Sequence, residues 1–80
     1  MGKITVQELN AAYGQGNYAG GGEETIIQHG LGRRPKIFDA RPAGNSQGYL
    51  GETWIDADET TITVGNTGSY QGEFNWFAFV

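Results

Sequence analysis

Eighty residues are enough for one domain, and a domain of this size buries only a modest fraction of its chain surface in a core. The chain has no cysteine, which excludes disulfides and thiolate metal sites, while 14 glycines beside a single methionine point away from a helical bundle and toward short strands and turns. A net charge of −4 repels nucleic acid and anionic membrane, and no apolar run is long enough to span a bilayer.

The opening "MGKITVQELN" lacks the apolar core of a signal peptide and the serine or threonine of a myristoylation pattern, so it reads as the start of a soluble protein made in the cytoplasm. Thr5 and Glu8 have the spacing of a capping box, which predicts a short helix from Val6 to Tyr13 ended by Gly14. The competing reading makes Ile4 to Val6 an edge strand. "GQGNYAGGGEE", Gly14 to Glu24, carries too much glycine to favour order without outside contacts. Residues 1–24 are therefore expected to form an arm, flexible or short-helical, and residues 25–80 the folded domain.

From Glu24 onward, short β-prone runs alternate with turn residues at regular spacing. Five strands are predicted: Thr25 to His29, Lys36 to Arg41, Tyr49 to Asp56, Thr60 to Val64 and Glu73 to Val80. The links between them are short, which predicts antiparallel neighbours, and the whole reads as an all-β, small antiparallel β-sandwich. In "TTITV", Ile62 and Val64 alternate with threonines, as expected of a strand with one buried face. The last run is apolar on both faces, with Phe74, Trp76 and Ala78 on one and Phe77 and Phe79 on the other. One small core cannot cover both, so Phe77, Phe79 and Val80 are expected to form an oligomer interface, the alternative being burial beneath the N-terminal helix.

Few residues offer chemistry. His29 is the lone histidine, and Ser46 and Ser69 lie in glycine-rich turns without a nucleophile-elbow pattern, so hydrolysis is not expected. His29, Gly30, Gly32 and Pro35 read instead as a structural turn, with the imidazole bonded to a turn amide. "DADE", Asp56 to Glu59, lacks the spacing of a calcium loop and reads as a solvated hairpin turn. Glycines 14, 16, 20, 21 and 22 have no G-K-[ST] beside them, so no phosphate cradle is expected. No catalytic residue, metal or cofactor is predicted. Arg33, Arg34, Lys36 and Arg41 hold four of the five positive charges within nine residues, a cluster suited to an acidic partner surface, though charged turns are also commonly just solvated. Tyr49, Trp54 and Tyr70 are candidates for stacking on sugar rings.

His29, Leu31, Gly32 and Pro35 form a His-x-Leu-Gly-x-x-Pro turn which, followed by "ETWIDADETTITV" and "FNWFAFV", resembles the small β-sandwich modules of bacteriophage virion proteins. The order is also similar to the H-type lectin fold, with its "I-x-V" strand and a closing strand that here carries Phe74, Trp76 and Ala78. The resemblance covers about Thr25 to Val80. It implies a non-enzymatic trimer of six-stranded sandwiches in a virion, the sixth strand coming from the N-terminal "ITV" or from the 65–72 loop. The partners it implies are further copies of the chain and a larger capsid or tail protein, with a cell-surface glycan in the lectin alternative. A chain that opens on methionine and closes on its last strand fits a free-standing head-decoration or fibre protein better than a fibre tip.

Overall fold

The computed structural model describes residues 11–80. They form six strands and no helix: β1 (Ala11–Asn17), β2 (Glu24–Gln28), β3 (Ile37–Pro42), β4 (Thr53–Ala57), β5 (Thr61–Asn66) and β6 (Glu73–Phe79). Two three-stranded antiparallel sheets result, sheet A in the order β1-β6-β3 and sheet B in the order β2-β5-β4. The expected sandwich is present. Of the links between predicted strands, only β4 to β5 joins neighbours; the other short links carry the chain from one sheet to the other. Link length therefore set adjacency in one case alone, because the two-layer core rewards crossing between sheets.

The sixth strand lies where the helix and the tether were expected, and not in the 65–72 loop; the N-terminal "ITV" lies outside the described residues. Ala11 to Tyr13, the end of the predicted helix, and Gly14 to Asn17, the start of the predicted tether, together form β1, paired residue for residue with β6 from Ala11↔Phe79 to Asn17↔Glu73. The rest of the predicted helix, residues 6–10, lies outside the described residues. The reason is steric. A Cβ on Gly14 would stand 3.0 Å from Trp76 Nε1, and one on Gly16 only 2.7 Å from Phe74 Cζ. Both glycines face inward, and their missing side chains make room for the two inward-facing rings of β6, Trp76 and Phe74. Asn17 and Glu24 are then joined by a tight turn with Gly20, Gly21 and Gly22 at positive φ, held by Gly21 N–H to Gly68 O (2.8 Å) and Gly22 N–H to Asn66 O (2.9 Å). The domain boundary expected at Glu24 is thus corrected: the sandwich includes β1.

Between the sheets lie Phe74, Trp76 and Ala78 of β6, Ile62 and Val64 of β5, Ala57 of β4 and Tyr18, flanked by Ile27, Phe38, Ala40 and Ile55. Each large apolar side chain buried here contributes about 1.5–3 kcal/mol. The Tyr18 ring packs tilted against Phe74 at 4.9 Å and against Tyr70 at 5.8 Å, and its burial raises its phenol above the ordinary value, with Tyr70 and Asp39 adding to the rise. At one end of the core the buried Asn66 joins three loops. Its Nδ2 donates to Leu50 O (3.2 Å) and Tyr70 O (3.0 Å), and its Oδ1 accepts from Gly20 N–H (3.0 Å). Sequence reading missed this residue, since an asparagine at a strand end looks like any turn former.

Candidate functional site

Strand alternation places every second residue of sheet A on its outer face, and the strand register aligns these residues in rows. The first row is Ala11, Phe79 and Ile37; the second is Tyr13, Phe77 and Asp39. A third row, Gln15, Asn75 and Arg41, and a fourth holding Asn17 and Glu73, are polar. The face therefore divides into an apolar end and a polar end. At the apolar end Tyr13 is 85% exposed, Ile37 60%, Phe79 44% and Phe77 37%, with the two phenylalanine rings 5.6 Å apart and tilted. Phe77 and Phe79 thus stand on the face opposite the core, as their alternation requires, and they do not stand alone: Tyr13 and Ile37 flank them. Tyr13 is not legible in the sequence, because the reading of residues 11–17 as helix and tether hides its alternation. Val80 lies beyond β6 and is half-buried.

The basic residues disperse. Arg34 donates through Nε to Ala57 O at 3.0 Å, approaches Asp56 at 3.9 Å and lies 5.6 Å above the Phe38 ring, so it fastens the turn after β2 to β4. Arg41, on the outer face of sheet A, pairs with Asp39 at 3.1 Å. Arg33 and Lys36 are exposed. Of the four cations expected to act as one patch, two are engaged by carboxylates of this chain, one of them in the "DADE" turn itself.

That turn is built on Asp58. Its Oδ1 accepts from Thr60 N–H (2.8 Å) and Thr61 N–H (2.6 Å) and from both threonine hydroxyls. These bonds, led by the Thr61 amide, hold the carboxyl down to about 2. Across from it, His29 is buried, accepts from Leu31 N–H at Nδ1 (3.0 Å) and therefore donates from Nε2 to Asp58 O (2.9 Å). The imidazole holds the end of β2 against the β4–β5 turn, with Gly30 and Gly32 at positive φ beyond it and Pro35 fully buried. Among the described residues no three of histidine, aspartate and glutamate stand together as metal ligands would.

The three sugar-stacking candidates do not converge. Tyr49 is 61% exposed, on the loop before β4. Trp54 is half-buried: its indole lies across Gly65, where any Cβ would collide with the ring, and its Nε1 donates to Glu24 at 2.7 Å. Tyr70 packs against Tyr18, and its ring fills the place a Cβ on Gly72 would need. Of the three, only Tyr49 presents an open ring.

No protein-family model matches the chain, and no curated protein matches it in sequence. In three dimensions it is similar to a C-terminal fragment of the P. aeruginosa R2 pyocin fibre, with a TM-score of 0.71 and 19% identity over 88% of this chain. The chain spans about a fifth of that fragment's length, 20%. The two share a fold.

Proposed function

We propose that the chain is a non-enzymatic structural module of a phage virion or a related particle, of the fibre type, working as a homo-oligomer. The observation that supports this reading most strongly is the six-stranded sandwich in common with a pyocin fibre. A fibre position is favoured over head decoration for the same reason. His29 uses both ring nitrogens to hold a turn, which also favours a structural role. In this reading the subunits form a trimer, the residues ahead of β1 anchor the module on a larger capsid or tail protein, and the exposed Arg33 and Lys36 steer it toward acidic surface there. An antibody to the chain should find it in particles purified on a density gradient from the cells that encode it, and should label their fibres in electron micrographs. Recovery only among the unassembled soluble proteins would overturn the proposal.

A second reading, a glycan-binding module for host attachment, is favoured by the open ring of Tyr49 on the loop before β4. On a glycan array this reading expects specific binding that Tyr49→Ala removes; an array silent for the parent leaves the structural reading alone.

A further inference from the structure

We propose that the apolar end of the outer face of sheet A is the surface on which copies of this chain pack, centred on Phe77 and Phe79, flanked by Tyr13 and Ile37, and bounded by the polar row Gln15, Asn75 and Arg41. The proposal rests on the oligomeric reading above and gives it a location.

Four of the six large hydrophobic side chains exposed among the described residues stand on this one patch. At about 150–250 Å² for a whole aromatic side chain, their exposed parts amount to surface on the order of 500 Å². Apolar patches of about 300–600 Å² are the largest that monomers carry, and they are often functional. Two copies covering each other's patch remove on the order of 1,000 Å² from water, which is where specific interfaces begin.

Charge selects the occupant. The two apolar rows contain one ionised side chain, Asp39, and Arg41 neutralises it at 3.1 Å on the same strand. Such a face meets its own copy without like-charge repulsion, whereas a net charge of −4 opposes contact between copies elsewhere. The polar row beside it has the character of an interface rim. The flanks differ, Tyr13 on β1 and Ile37 on β3, so contacts that set Tyr13 of one copy toward Ile37 of the next are heterologous, and a rotation of a third of a turn between copies closes them into a ring. This arrangement suits a threefold axis alongside β6.

The test is sedimentation of the full chain with two variants. Tyr13→Thr/Ile37→Thr alters two exposed strand positions with a strand-compatible residue, and Gln15→Ser alters the rim. The first should weaken association at least tenfold with an unchanged circular dichroism spectrum; the second should leave it within about threefold. An oligomeric parent whose association the double variant leaves unchanged overturns the assignment of the surface but leaves the oligomeric reading standing. A parent that stays monomeric at 100 μM overturns both.

Should the double variant not fold, Tyr13→Cys gives the answer, since the chain has no cysteine of its own. Its thiol should react with maleimide quickly when dilute and slowly when concentrated. Fast reaction at every concentration, or slow reaction at every concentration from a cover within one chain, overturns the proposal.

Discussion

A single oxygen, Oδ1 of Asp58, receives the amides and hydroxyls of two successive threonines, and this gives the β4–β5 turn a pH signature. The folded carboxyl sits at about 2, below its ordinary value, so its contribution is present in full above that ordinary value and is lost as pH falls toward 2. Urea unfolding should therefore show Asp58→Asn to be less stable than the parent at pH 7, with the gap closing between about pH 4 and pH 2. A gap that persists at pH 2 would mean that the carboxylate is not its source. A second test concerns space. Gly16→Ala sets a methyl 2.7 Å from the buried Phe74 ring, so overpacking should cost about 1–3 kcal/mol, whereas Gly44→Ala, with nothing within 4 Å, should stay within about 0.5 kcal/mol. Thermal melts of the two variants measure the difference. At this scale the turn role of His29 was legible, because a lone histidine before a glycine has few other uses. Asn66 was not, because two of its partners, Gly20 and Leu50, belong to loops distant from it in sequence.

β1 shows what local patterns miss. "AAYGQGN" has neither the branched residues of a strand nor a helical stripe, and its glycines count against order. It is ordered because β6, more than 50 residues away, supplies both the ladder and the rings that fill the space above Gly14 and Gly16. Strands β2 to β6 were legible within a few residues because alternation and turn residues are local signals; in the third predicted strand, however, Tyr49 to Glu52 prove to be loop. The Phe77/Phe79 face was legible from the same alternation, and its flanking Tyr13 was hidden with β1. A truncation series checks the boundary. Removing residues 2–10 should leave a cooperative thermal transition, whereas removing residues 2–22 strips β1, uncovers Trp76 and Phe74 and should abolish the transition. Retained cooperativity in the longer deletion would return β1 to the status of an arm.

For the whole molecule, acidity competes with the apolar face. With a net charge of −4 and a pI near 4.6, copies repel one another at neutral pH. As pH falls toward the pI, carboxylates take up protons, the net charge shrinks and repulsion fades. Sedimentation at low ionic strength should therefore show tighter self-association at pH 5 than at pH 7. At about 0.5 M salt, where the screening length is only a few ångströms, the two should converge. An equal pH effect at high salt would point to titration within the interface instead of to the general field.

The pairing of β1 with β6 also orders events during synthesis. Sheet B uses residues between Glu24 and Asn66 only, so its three strands can meet while later residues are still being added. Sheet A has β6 as its central strand, and β1 and β3 have no neighbour in it until Glu73 to Phe79 leave the ribosome. At about 5–20 residues per second, β1 waits several seconds as a bare strand. Its composition suits that wait: three alanine or glycine side chains face inward, Tyr13 is its one large side chain, and a segment so poor in apolar surface offers a passing chain little to aggregate with.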